Sequence, residues 1–207
     1  MRPKKRVAIL ISGRGSNMAA LIEAASRPAF PGEVALVLSN RPDAGGLALA
    51  VASGIATAII SHKDFSTREG FEASVEAVLR SHAIDLVCLA GFMRVLTPQF
   101  VERWRGSMIN IHPSLLPSFR GVHTHERALE AGVRVHGCTV HFVEPELDAG
   151  PIIAQACVPV RPADTAETLA ARVLAEENTL YPRALQMVLD GSVRLENGRA
   201  AFRNDDD

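Results

Sequence analysis

Two polar side chains stand two residues apart at the end of an apolar run, where residues 110–117 read Asn-Ile-His-Pro-Ser-Leu-Leu-Pro. On an extended backbone, residues i and i+2 project to the same side, so Asn110 and His112 are aimed at one point. The prolines prevent the following loop from continuing as helix or strand. Two donors converging in this way can stabilise a developing oxyanion. A strand end with a surface histidine is the alternative interpretation.

A glycine-rich segment, residues 12–17, reads Ser-Gly-Arg-Gly-Ser-Asn and follows the first apolar run. Glycines let the backbone approach an anion, and the first turn of a following helix can bind a phosphate. A tight turn capped by Ser16 is the structural alternative. A dinucleotide site is disfavoured because Met18 occupies the third glycine position of that motif. A phosphate monoester therefore fits better.

Two further segments are candidates for the same site. Phe92 and Met93 follow a predicted buried strand and could line a pocket for a flat heterocycle, although such a pair is more often core. Asp148 lies in a loop bounded by proline and glycine, and a carboxylate near His112 would orient the imidazole and favour its protonated form. Aspartate in a turn often bonds its own backbone instead. The sequence alone does not bring Asp148 and His112 together.

The elements that must position these residues follow an alternating pattern. Apolar runs without polar alternation indicate strands buried on both faces, and helical patterns separate them. The predicted strands are Val7–Ser12, Glu33–Ser39, Ala56–Ile60, Asp85–Ala90 and Ser107–Ile111, and the predicted helices are Ser16–Ala25, Gly46–Ser53, Ser66–His82 and Pro98–Arg103. The fold class is therefore α/β and Rossmann-like, a mostly parallel twisted sheet with helices on both faces.

The rhythm changes after Pro117. A short helix near His125–Ala131 precedes two strand-like runs, Val135–Val143 and Pro151–Val160, which predict an antiparallel strand pair added to the sheet. Thr165 is expected to cap a long helix reaching Leu189, with a kink or break at Pro182.

Composition predicts one domain over residues 1–207, with a core at 6–190 and a C-terminal extension at 191–207 that ends in a disordered acidic tail, Asn204–Asp207. Lys and Arg number 22 against 23 Asp and Glu, so nothing global favours nucleic acid or an anionic membrane. The three cysteines lack metal or disulfide spacing and are expected to be core thiols. A cytoplasmic protein without a metal is the expectation.

Taken in order, these motifs resemble the glycinamide ribonucleotide formyltransferases, the folate-dependent enzymes of de novo purine synthesis. The resemblance runs from about Val7 to Asp190. It is carried by five segments of the sequence, residues 12–17, 89–94, 110–117, 123–125 and 146–151.

The resemblance implies a formyltransferase fold, 10-formyltetrahydrofolate as co-substrate and glycinamide ribonucleotide as substrate. It implies a catalytic trio of Asn110, His112 and Asp148. It places Arg14, Gly15, Ser16, Asn17 and Glu177 around the ribonucleotide. It also places a set of residues around the folate: Arg68, Met93, Arg94, Val95, Leu96, Asn110, Glu144 and Asp148. Asn178 departs from the histidine usual after the glutamate.

Other functions remain open on the sequence. A formyltetrahydrofolate deformylase or another folate-dependent formyltransferase would share the proline loop, and a non-catalytic nucleotide-binding module would share the glycine loop. The sequence does not distinguish a monomer from a homodimer.

Overall fold

A computed structural model describes residues 3–203 of the protein. A seven-stranded sheet forms its centre, with the strands β1 (Lys5–Ile11), β2 (Gly32–Ser39), β3 (Thr57–Ile59), β4 (Leu86–Leu89), β5 (Met108–His112), β6 (Val135–Phe142) and β7 (Ile152–Pro159). Their order in the sheet is β3-β2-β1-β4-β5-β6-β7. The helices are α1 (Ser16–Ala25), α2 (Gly46–Ala52), α3 (Arg68–Ser81), α4 (Pro98–Arg103), α5 (Thr124–Glu130) and α6 (Ala166–Leu189), and a 3-10 helix spans His62–Asp64.

The parallel half of the sheet is buried on both faces, as its unbroken apolar runs predict. In β1, Val7, Ile9 and Ile11 belong to one core and Ala8 and Leu10 to the other. The alternation follows from the period of two along a strand. Helices α1 and α6 contribute buried residues to the first core, and α3 and α4 to the second. The predicted Rossmann-like architecture is confirmed.

The predicted antiparallel addition is also confirmed. Strand β6 pairs antiparallel with β5, and β7 pairs antiparallel with β6. The register places His141 opposite Asn110 and Thr139 opposite His112. Residues that lie far apart in the chain therefore flank the Asn110–His112 pair.

Helix α6 is one continuous element. Thr165 caps it as predicted, because the Thr165 side chain accepts a hydrogen bond from the Thr168 N–H. Of the kink or break predicted at Pro182, the break is not found, and the kink stays a prediction. The packing of Leu180, Tyr181 and Ala184 in the core accounts for the continuity, since tertiary burial outweighs the lost hydrogen bond.

The C-terminal extension contains an element that the sequence patterns did not predict, and one expectation, on the cysteines, needs correction. The C-terminal extension contains a hairpin, β8 (Val193–Glu196) and β9 (Arg199–Phe202), turning at Asn197-Gly198, and Val193 is buried in the core. Cys157 is exposed on β7, whereas Cys88 and Cys138 are buried. Strand β7 is an edge strand with one open face, which a short apolar run does not reveal. The predicted tail Asn204–Asp207 lies outside the described residues, and the single-domain assignment stays a prediction.

Candidate active site

The glycine loop joins β1 to α1 at the carboxyl edge of the sheet. Gly15 precedes the helix with φ of 80°, and a Cβ at this position would lie 2.8 Å from the Cα of Gly46. Both the left-handed conformation and the close approach require glycine. No side chain caps α1, so Ser16 is not the predicted alternative cap. The first-turn N–H groups are left available for an anion.

Asn17 joins this loop to α6. Its Nδ2 donates to Oε2 of Glu177 at 2.7 Å, although the two residues are 160 positions apart. Burial raises the pKa of Glu177, and the hydrogen bond from Asn17 opposes that rise. The structure therefore brings together two residues that the resemblance assigns to the ribonucleotide. Arg14 and Ser16 lie at the same loop, with Ser16 exposed and Gly15 half-buried between them.

His112 and Asp148 are neighbours. His112 Nδ1 lies 3.4 Å from Asp148 Oδ2, and both side chains are buried. Asp148 adopts a left-handed conformation with φ of 50°, which aspartate tolerates better than most residues. The Gly121 N–H donates to Asp148 Oδ2 at 2.9 Å and fixes the carboxylate. The contact that the sequence left open is present.

The second ring nitrogen of His112 also faces an acceptor. Its Nε2 lies 3.0 Å from the carbonyl oxygen of Phe119. With a carboxylate at one nitrogen and a carbonyl at the other, only the imidazolium form donates at both positions. Both ring nitrogens of His112 therefore face hydrogen-bond acceptors.

Asn110 has a partner that the sequence did not single out. Its Nδ2 lies 3.2 Å from His141 Nε2, and His141 Nδ1 lies 2.8 Å from the Phe142 carbonyl oxygen. Burial lowers the pKa of His141. Neutral His141 therefore donates from Nδ1 and accepts from Asn110, which orients the amide. The β5–β6 register places His141 opposite Asn110.

The segment after β4 divides into buried and open positions. Phe92 and Leu96 are buried in the core, and Met93 is 71% exposed beside exposed Val95. Arg94 is half-buried, and its Nε is buried with no hydrogen-bond partner among residues 3–203. Met93 is exposed and free to form the predicted heterocycle wall, whereas Phe92 takes the core position that the sequence left as the alternative.

Arg68 and Glu144 are the two remaining residues that the resemblance places around the folate. Arg68 is exposed at the start of α3. The Glu144 carboxylate is 3.4 Å from the Arg105 guanidinium, so it is engaged by a cation of the protein. Their contact with folate stays a prediction.

A cleft of about 390 Å³ lies between the glycine loop and the segment that follows β4, and Asn40, Arg41 and His62 also line it. Ser12 joins its walls, since its hydroxyl donates to Asn40 Oδ1 at 2.6 Å and accepts from the Met93 N–H at 2.8 Å. Among residues 3–203, no cluster of three or more histidine, cysteine or acidic side chains could hold a metal ion. No helix within that range is long and apolar enough to cross a membrane.

The protein is therefore of the Rossmann-like α/β class, with a glycine loop and a His–Asp pair at one edge of its sheet. Residues 5–185 match the model of the formyl transferase family. The chain belongs to that family.

Individual proteins are also similar to this chain over most of its length. The phosphoribosylglycinamide formyltransferase of Haemophilus influenzae is 42% identical over 95% of this chain and 92% of its own length. A crystal structure of the Brucella melitensis enzyme of the same name is 54% identical, has a TM-score of 0.87, and covers 90% of this chain and 96% of that one. The bovine trifunctional purine biosynthetic protein adenosine-3 is 50% identical over 100% of this chain, which spans 21% of that longer protein.

Proposed function

We propose that this protein transfers the formyl group of 10-formyltetrahydrofolate to the primary amine of glycinamide ribonucleotide, as a cytoplasmic enzyme of purine synthesis. The observation that carries the proposal is the 3.4 Å contact between His112 Nδ1 and Asp148 Oδ2 beside Asn110, at the sheet edge that also holds the glycine loop. The names of the full-length relatives support the same substrates.

Asn110 and His112 stabilise the charge that forms during transfer. When the amine attacks the formyl carbon, the carbonyl oxygen becomes an oxyanion, and an Asn110 N–H and the His112 imidazolium donate to it. One such donor contributes roughly 3–4 kcal/mol to lowering the barrier. His112 Nε2 must exchange the Phe119 carbonyl for the substrate oxygen, or donate to both.

Asp148 holds His112 in place through the contact between its carboxylate and the imidazole Nδ1. Its carboxylate also accepts the proton that leaves the amine, directly or through water, and this proton is delivered to the departing folate nitrogen. The N–H group of Gly121 orients the carboxylate during these steps.

The glycine loop binds the phosphate of the ribonucleotide through the first-turn N–H groups of α1. Asn17 and Glu177 place a carboxylate beside this loop, at a position suited to ribose hydroxyls. Holding both substrates in one cleft supplies much of the remaining acceleration, since effective molarities reach on the order of 10⁵ M or more.

The folate binds the wall of the cleft opposite the glycine loop, and this folate wall is formed by Met93 and Val95. Its flat ring system has apolar contacts in Met93 and Val95, and its carboxylates have a cationic partner in Arg94, whose buried Nε lacks an acceptor. Arg68 and Glu144 complete the proposed rim. The co-substrate supplies the formyl group, and we propose no metal.

The test is the release of tetrahydrofolate by the purified protein in the presence of 10-formyltetrahydrofolate, with and without glycinamide ribonucleotide. The proposal predicts release only with the amine, together with an equal amount of formylated product. Release without the amine would identify a deformylase, and binding of both ligands without release would identify a non-catalytic module. Sedimentation of the same sample would distinguish a monomer from a homodimer.

A further inference from the structure

A buried carboxylate lies behind the folate wall. Glu72 on α3 is 1% exposed. Its Oε1 accepts a hydrogen bond from the Thr97 N–H at 2.6 Å, and its Oε2 accepts one from the Thr97 hydroxyl. Thr97 is the N-cap of α4 and ends the segment that contains Met93, Arg94 and Val95. A carboxylate is costly to bury, so two donors from a single residue make a strong local anchor.

The other end of the segment is anchored separately. Ser12 Oγ accepts from the Met93 N–H at 2.8 Å, and the Ser12 N–H donates to the Gly91 carbonyl at 3.1 Å. Met93 and Val95 are exposed between the two anchors. The buried side chains of Phe92 and Leu96 hold the segment to the core, and the exposed positions between them depend on these contacts and on the two hydrogen-bonded anchors.

Glu72 also connects two groups of proposed folate residues. Arg68 stands four positions earlier on α3, on the same helix face. The hydrogen bonds to Thr97 therefore tie the helix that carries Arg68 to the segment that carries Met93 and Val95.

We infer that Glu72 is a positioning residue for the folate, which acts through Thr97 to hold the wall in its binding geometry. The inference rests on the proposed function. It predicts that loss of the Glu72 carboxylate weakens folate binding selectively and leaves ribonucleotide binding unchanged.

The helix offers a matched control. Glu76 lies one turn further along α3 and accepts a hydrogen bond from Trp104 Nε1 at 2.7 Å, at the far end of α4. It therefore joins the same two elements without reaching the wall. Glu72→Gln is the conservative variant, because an amide can still accept from the Thr97 N–H.

The test is calorimetric binding of tetrahydrofolate and, separately, of glycinamide ribonucleotide to the full chain. Glu72→Ala should weaken tetrahydrofolate binding on the order of ten-fold or more, since hydrogen bonds to a charged group are lost. Its ribonucleotide affinity should stay within about two-fold, as should both affinities of Glu76→Gln. Glu72→Gln should recover part of the loss. In hydrogen exchange without ligand, the Thr97 amide should lose protection in Glu72→Ala.

The inference is overturned if Glu72→Ala leaves tetrahydrofolate binding intact, if it weakens both ligands equally, or if Glu76→Gln matches it. Should Glu72→Ala fail to fold, Thr97→Val removes one of the two hydrogen bonds and should weaken tetrahydrofolate binding several-fold. If the wild-type protein does not bind tetrahydrofolate, the proposed function fails. If the wild-type protein binds tetrahydrofolate and Glu72→Ala binds it equally well, only the positioning role of Glu72 is rejected, and the proposed function stands.

Discussion

The parallel and antiparallel halves of the sheet contribute to the site in different ways. The parallel half supplies the glycine loop, the folate wall and the Asn110–His112 pair, all at the carboxyl ends of β1, β4 and β5. The antiparallel half supplies Asp148 and His141, which contact these residues from β6 and the following loop. Under the proposed function, the first half binds the substrates, and the second sets the charge and orientation of the side chains that act on them.

Close backbone approach maintains the antiparallel contribution. A Cβ on Gly150 would lie 1.8 Å from the carbonyl oxygen of Phe142, so the loop carrying Asp148 folds directly against the end of β6. The parallel half has a comparable constraint at Gly15. In each half, a glycine therefore permits a close backbone contact near the site that a side chain would prevent.

The largest effect is expected where both halves meet, at Asn110. Asn110→Ala should lower kcat by about 10²–10³-fold, because it removes one oxyanion donor. KM for either substrate should change little by comparison. Steady-state kinetics measures this, with Gln186→Ala as a control that removes an exposed amide on α6. A wild-type kcat in Asn110→Ala would show that the amide is not a donor in the transition state.

Gly15 tests the parallel half alone. Gly15→Ala should cost about 1–3 kcal/mol of unfolding free energy from backbone strain and crowding, and should raise KM for the ribonucleotide without an equal effect on folate. Gly54→Ala is the control, because Gly54 has φ of 72° and a Cβ added there would meet no atom within 4 Å. Urea unfolding together with KM for each substrate checks the prediction. Equal changes in both variants would mean that strain alone, without the contact to Gly46, explains the effect.

Glu177 makes the free energy of unfolding depend on pH. Burial raises the pKa of Glu177 above its ordinary value of 4.5. Its contribution to stability is therefore fully present below that value and lost as the pH rises through the folded-state pKa. Glu177→Gln removes this loss. The unfolding free energy of Glu177→Gln minus that of the wild-type protein should therefore increase as the pH rises above 4.5. Urea unfolding across a pH series would detect it, and a constant difference would contradict it.

The smallest effect is expected at the rim of the antiparallel half. Arg120 Nη1 donates to Glu146 Oε1 at 2.6 Å between two exposed side chains. Such a surface pair contributes about 0–1 kcal/mol, so Arg120→Ala should change kcat by less than about five-fold. Kinetics at low and high salt measures this. A loss as large as that of Asn110→Ala would give Arg120 a direct role.

Sequence reasoning predicted the parallel half well because its information is local. Buried strands, the glycine loop and the i, i+2 spacing of Asn110 and His112 are each contained in a short segment. The contacts of Asp148 with His112 and of His141 with Asn110 depend on how β6 and the loop after it pack against β5, which joins residues about 30 positions or more apart in the chain. The position of Phe92 stayed open because an apolar residue after a strand can face either the core or the cleft. The Asn197-Gly198 dipeptide is typical of a hairpin turn and would have predicted the β8–β9 hairpin from the sequence.

The central claim is that Asp148 of the antiparallel half acts through His112 of the parallel half, and a double-mutant cycle on kcat tests it most directly. His112→Ala and Asp148→Asn should each lower kcat by about 10²–10³-fold. The double variant should be no slower than the slower single variant, because residues that act as one unit are not additive. A double variant whose loss equals the product of the two single losses would show that the two residues act independently, and would contradict the account.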